Sequence, residues 1–186
     1  MAAKGRKAVE VTVTYLEMNA RPARHVPLPL NRHVALLAAT NVPLHFYRYL
    51  QDRVGRDWTW VNALRLSDEE LSARLASPAC DMRVLYVDGV PAGFFELKLD
   101  LSAEVEIAYF GLMEHAAGQG LGRWFLGAAI EVAWEHNPAK VVLQTCTLDH
   151  PAALPLYQKM GFSPVGQARE TLTPLSKAER ASIVMR

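Results

Sequence analysis

Residues 82–87, the pair Asp88-Gly89 and residues 90–99 form the pattern that most restricts the fold: two strand-like runs joined by one of the strongest short turn signals, which predicts a β-hairpin. A third run, residues 104–112, continues the meander. The chain then passes through Gly118-Gln119-Gly120-Leu121-Gly122 directly into a segment whose apolar stripe, Leu121, Phe125, Ala128 and Val132, has helical spacing and ends near Asn137-Pro138. An antiparallel meander that feeds a helix through glycines points to a mixed α/β class.

The flanking segments complete this reading. Over residues 8–18, Val9, Val11, Val13 and Tyr15 alternate with Glu10, Thr12 and Thr14, which predicts a first strand with one buried face. Residues 21–43 read as an extended connection, with residues 33–39 open between a short strand and coil. Phe46, Tyr49, Leu50 and Val54 fall on one helical face, and Ser67 with Glu70 forms a capping box that opens a second helix carrying Leu71 and Leu75. Between the two lies the aromatic loop Asp57-Trp58-Thr59-Trp60. Residues 140–147 read as a buried strand, Pro151 opens a helix with Ala153, Leu156 and Met160 inward, and Gly161 closes it before an extended segment from Phe162. The expected order is β-α-α-β-β-β-α-β-α-β around a mostly antiparallel central sheet.

A length of 186 residues favours one domain, residues 1–186. The 51% hydrophobic and 21% charged content excludes a disordered chain, and the longest apolar runs, such as residues 34–39, fall far short of the roughly 20 residues of a membrane span. With 20 basic and 19 acidic residues the net charge is +1, which supplies no field for nucleic acid or an anionic membrane. Lys4, Arg6 and Lys7 precede an alternating strand instead of an apolar signal core, so a cytoplasmic address is expected. Cys80 and Cys146 belong to no cluster of metal-ligand spacing and read as reduced packing thiols, so no metal is expected.

A strand that runs through glycines into a helix is a ready anion site, because first-turn N–H groups are unpaired and the positive end of the dipole stands behind them. Gly118, Gly120 and Gly122 allow close approach to that backbone. A dinucleotide fingerprint beginning at Gly118 would need glycine where Arg123 stands, and a Walker loop would need a Lys-Ser/Thr pair, so both known phosphate loops fail. A flexible turn with helix-packing glycines is the competing reading.

The run Glu106-Ile107-Ala108-Tyr109-Phe110-Gly111-Leu112, followed eight residues on by Gly120-Leu121-Gly122, resembles the acyl-CoA motif of the GNAT superfamily of N-acyltransferases, Gln/Arg-x-x-Gly-x-Gly/Ala. Ala153, Leu156-Tyr157 and Gly161-Phe162 resemble its later motif, Asn-x-x-Ala-x-x-Leu-Tyr-x-x-x-Gly-Phe. Two positions depart from the pattern. Ala117 stands at the Gln/Arg position, leaving Gln119 and Arg123 as the nearest side chains for a pyrophosphate, and His150 stands at the Asn position, where it is either a cap beside Pro151 or a contact for the pantetheine arm.

The resemblance implies acetyl-CoA as co-substrate, held by Phe110, Gly111, Leu112, Gly118, Gln119, Gly120, Leu121, Gly122, Arg123 and His150. It also implies a bulge that splays the strand of residues 104–112 and frees backbone groups near Phe110 and Leu112 for the acyl carbonyl. An amine with a pKa of about 10 arrives as an ammonium and needs a base before it attacks a thioester. Glu106 matches the superfamily's glutamate base, and simple alternation puts it on one side with Glu104, Ala108 and Phe110, with Val105, Ile107 and Tyr109 on the other. A solvated strand glutamate is the competing reading for Glu106, and a core aromatic for Tyr157. The motif tyrosine, Tyr157, is the expected proton donor to the departing thiolate.

The resemblance further implies that the first two helices and their loop bind the acceptor, with His45, Tyr47, Trp58 and Trp60 as aromatic surface. The expected function is acetyl transfer to a small-molecule amine. The alternatives are a non-catalytic acyl-CoA sensor, an acetyltransferase acting on a protein or peptide amine, and a scaffold that binds a partner through Trp58 and Trp60. Superfamily members occur as monomers and dimers, so a homodimer stays open.

Overall fold

Asp88 and Gly89 both adopt positive φ, 51° and 85°, the backbone that a two-residue hairpin turn demands. They join β3 (Cys80–Val87) to β4 (Val90–Leu99), and β5 (Glu104–Leu112) completes the meander. These strands belong to a computed structural model that describes residues 7–29, 32–99 and 103–186. Lys4 and Arg6 lie outside the described residues. Among the described residues one sheet of seven strands runs in the order β2-β3-β4-β5-β6-β1-β7, with β1 at Val9–Met18, β2 at Val34–Ala38, β6 at Lys140–Cys146 and β7 at Ser163–Leu172. Every neighbouring pair is antiparallel except β5 and β6. That parallel pair is joined by α3 (Leu121–Glu135), since parallel strands need a crossover and α3 supplies it.

The mixed α/β class and the mostly antiparallel sheet stand as expected, and the structure adds two elements. The undecided stretch at residues 33–39 holds β2, which pairs with β3 from Val34↔Val87 to Ala38↔Arg83. Beyond β7 lies a helix, α5 (Lys177–Val184), opened by a capping box of Ser176 and Glu179 that has the same spacing as Ser67 and Glu70 ahead of α2 (Asp68–Ala76). Pro151 precedes its helix instead of opening it, because α4 spans Ala153–Lys159 with Ala152 as N-cap.

The sheet separates two apolar cores. On one face α3 buries Leu121, Phe125, Leu126, Ala129, Ile130 and Ala133, a stripe turned from the expected one so that Ala128 and Val132 are only half-buried. On the other face α1 (Leu44–Gly55) contributes Tyr47, Leu50 and Val54, joined by Leu71, Met82, Val84 and Phe94. Tyr49, expected inward, is exposed, and Arg48, Gln51 and Asp52 are buried instead. The inward face of α1 is therefore half polar, which a search for apolar periodicity passes over. Among the described residues no helix is long and apolar enough to cross a membrane.

Candidate active site

Where β5 and β6 leave one another the sheet opens. Among the described residues they pair only at Glu104↔Lys140, Val105↔Val141 and Glu106↔Val142, so beyond Glu106 no described strand pairs with the β6-facing backbone edge of β5. On its other edge β5 stays paired to β4, but Glu96 lies opposite Tyr109 and Leu97 opposite Ile107, which leaves Ala108 as an extra residue. This is a β-bulge, and it reverses the alternation of faces beyond it. Phe110 thus joins Val105 and Ile107 on the α3 side, where its ring lies 5.1 Å from that of Phe125 and 6.4 Å from that of Tyr157. Tyr109 turns to the face of Glu106 and rests against Trp60 and Phe94. The strict alternation expected from sequence, with Glu104, Glu106, Ala108 and Phe110 together, fails for this reason.

The splay is the floor of an open cleft of about 1080 Å³. Glu106 and Tyr157 both line it, as do Phe110, Gly111, Leu112, Gly118, Gly122 and His150. Glu106 is half-buried, with Lys98 Nζ at 4.0 Å, and its neighbour Glu104 is engaged by Lys140 at 2.9 Å. Tyr157 is buried on α4, and its hydroxyl has no hydrogen-bond partner among the described residues. Burial, with the carboxylate of Asp149 adding to it, holds the Tyr157 phenol well above its ordinary pKa. It is therefore a neutral donor throughout the physiological range.

At the other end, Gly118 and Gly120 have φ of +73° and +78°, and a Cβ on either would meet no atom of the described residues within 4 Å. Glycine is needed there for backbone conformation, and the space above is open to a ligand. Gly120 is the N-cap of α3, with no side-chain cap, so the amides of Leu121, Gly122 and Arg123 are left for an anion. Gly122 has ordinary helical surroundings. Gln119 is drawn back to its own loop, donating to the His115 carbonyl at 2.6 Å, whereas Arg123 is exposed without a partner among the described residues. These features fit a pyrophosphate, with Arg123 as the available cation. His150 Nδ1 accepts the Ala152 N–H at 3.0 Å, and its ring stands 5.0 Å from that of Trp58. Since Ala152 is the N-cap of α4 and no side chain caps it, His150 is not the expected cap; its hydrogen bond closes the turn ahead of the helix, and its ring borders the cleft.

Gly111 has a packing role that its motif position did not announce. A Cβ there would come 2.4 Å from Val54 Cγ1, so the glycine lets α1 lie against β5, with the Trp60 ring at ordinary contact distance. Sequence reading also missed the ionic cluster beside it. Glu96, fully buried, accepts from Tyr47 Oη at 2.6 Å and from Arg74 Nε and Nη2 at 2.9 and 2.5 Å, and the Arg74 guanidinium sits 5.3 Å from the centre of the Tyr109 ring. The only hint in sequence was a lone carboxylate between Phe95 and Leu97. Cys80 and Cys146 are free thiols, and burial, reinforced by Glu96, pushes Cys80 up to about 12.

A model of the acetyltransferase (GNAT) family matches residues 47–162, the segment that holds the bulge, the glycine turn and Tyr157. The chain belongs to that family. No curated protein matches it. Among solved structures, a functionally unknown conserved protein from Staphylococcus epidermidis is similar at 16% identity and a TM-score of 0.60, covering 91% of this chain and 64% of that one. A GCN5-related N-acetyltransferase from Kribbella flavida gives 17% and 0.54, with 92% and 61% covered. The chain thus spans less than two thirds of the length of either. The ribosomal-protein-S18-alanine N-acetyltransferase of Escherichia coli gives 16% and 0.58, with 77% and 96% covered. At these identities the likeness establishes the fold.

Proposed function

We propose that the cleft transfers an acetyl group from acetyl-CoA to a small-molecule amine by direct attack. The observation that carries this reading is the joint geometry of the splay and the turn. A free strand edge from the bulge onward, leading to an uncapped helix N-terminus with open glycines, suits an extended thioester with a pyrophosphate at one end. Free β5 amides next to the bulge suit the acyl oxygen, whose negative charge grows during attack.

Glu106 takes a proton from the ammonium, the freed amine forms the new C–N bond at the carbonyl, and the C–S bond breaks as Tyr157 protonates the departing sulfur; the second proton, shed by the nitrogen as it becomes an amide, restores the phenol. Charge along the wall supports a cationic acceptor. Asp57, Glu70, Glu106, Glu114, Asp149 and Glu170 face the cleft against Arg53 and Lys98, with Arg74 balanced by Glu96. Such an excess of carboxylates raises the local concentration of an ammonium. Thiol release from acetyl-CoA across a panel of primary amines tests the proposal. Release that requires an amine and rises with pH is expected, and saturable CoA binding with no amine-dependent thiol would make the chain a binding module.

A further inference from the structure

Trp60 is the keystone of the acceptor-side wall, and it is held from far along the chain. Its indole lines the cleft, tilted against Tyr109 with ring centroids 5.2 Å apart and edge-on to Phe94 at 6.2 Å. Gly55 lacks the Cβ that would strike it, at 2.4 Å from Trp60 Cβ. Trp60 Nε1 donates to Asp149 Oδ1 at 3.3 Å across the mouth of the cleft, and Asp149 is itself fixed through Oδ2 by Thr145 Oγ1 at 2.7 Å and the Cys146 N–H at 2.9 Å. The Trp60 carbonyl accepts from Arg180 Nη2 at 3.3 Å, while Arg180 Nη1 donates to the buried Asp52 at 3.2 Å. Thr59, immediately before Trp60, is a β-branched residue at φ 61°, a conformation that persists only where its surroundings impose it.

We propose that Arg180 of α5 is a positioning residue for acceptor binding, acting through Trp60. This rests on the transferase reading above. α5 lies outside the segment that matches the family, so the device belongs to this chain's own C-terminal helix. The guanidinium ties the α1 carboxylate to the loop carbonyl with separate nitrogens, a forked arrangement that an ammonium does not reproduce. Arg180 fixes where the loop backbone lies and Asp149 fixes where the indole points, so Trp60 presents one surface to the acceptor. Its contact with the acceptor is made in the ground state and the transition state alike, and its loss should raise KM more than it lowers kcat.

The test compares wild type, Arg180→Ala, Arg180→Lys and Arg186→Ala, with acetyl-CoA as donor and the fastest-reacting primary amine of the panel as acceptor. Arg186 is the control, since it pairs with Asp68 at 3.8 Å from the same end of the chain and does not touch Trp60. Expected is a rise of about tenfold in amine KM for Arg180→Ala, a smaller rise for Arg180→Lys, kcat within about threefold, and unchanged acetyl-CoA affinity. Arg186→Ala should match wild type. If Arg180→Ala does not fold, Arg180→Lys keeps the ion pair with Asp52 and decides the question by the same KM. Wild-type amine KM in the folded variants overturns the positioning role while leaving the transferase reading intact. Loss of kcat and acetyl-CoA affinity together would reduce Arg180 to a general support of the fold. No thiol release from the wild type with any amine would remove the transferase reading and this role with it.

Discussion

The two sides of the cleft are made of different materials. Toward the glycine turn the wall is backbone: the β5 edge that no described strand pairs, two glycines at positive φ and the bare N-terminus of α3. Toward α1 and α2 it is side chains in long-range ionic contact, with Arg74 and Glu96 separated by 22 residues and Arg180 and Asp52 by 128. A wall made of backbone tolerates changes of side chain, Ala117 at the Gln/Arg position of the family motif among them. A wall of interlocked charges has no such freedom, because removing one partner strands the other.

The sharpest break in that comparison is Glu96→Ala. It leaves Arg74 facing Tyr47 and Tyr109 without its carboxylate, and disruption of a buried pair costs about 3–5 kcal/mol, so Tm should fall by roughly 10 °C in thermal unfolding. A loss of under about 1 kcal/mol would mean that the acceptor wall is not held by this cluster. Next is Tyr157→Phe, which removes a hydroxyl that no described residue engages and so should leave Tm in place while lowering kcat by roughly 10², with poorer thiol leaving groups affected most. Because burial raises the Tyr157 phenol, wild-type kcat should show no alkaline decline below about pH 10; a decline near neutrality that disappears in the Phe variant would contradict the assignment.

Gly120→Val probes the backbone side and should weaken CoA binding by about tenfold or more in titration calorimetry. A β-branched residue resists φ of +78°, and its side chain would fill the open space over the turn. An unchanged Kd would remove the phosphate-cradle reading. The smallest effect concerns Cys80, whose thiol, pushed up to about 12 by burial and then by Glu96, should react with disulfide reagents at pH 8 more than about a hundredfold slower than a free thiol. Glu96→Ala should shorten that gap, and rapid labelling of the wild type would place Cys80 in a more open wall than the one described.

The same division explains what could be read from sequence. The hairpin, the glycine turn and the capping box at Ser67 and Glu70 are local, since each constraint acts within a few residues and leaves a spacing behind. The box at Ser176 and Glu179 was just as local, with the same three-residue interval. The side exchange of Tyr109 and Phe110 was not legible, because the bulge at Ala108 is defined by register against β4 and no residue type at Ala108 signals it. Arg48, Asp52 and Glu96 look like surface charges one by one. Their burial follows from partners, Asp68, Arg56 with Arg180, and Tyr47 with Arg74, that only the fold brings near.

Direct attack on the thioester requires a base, and Glu106→Gln tests Glu106 in that role most directly. The substitution keeps the size of the side chain and touches no part of the glycine turn. Steady-state rates on a verified amine, measured from about pH 6 to 10 beside CoA titrations, should show kcat reduced by roughly 10² or more with CoA affinity unchanged. A limb that reflects ionisation of the amine itself should survive in the variant. Rates within about twofold of wild type at every pH would leave proton removal to water or another group and make Glu106 an ordinary strand carboxylate at the edge of the cleft.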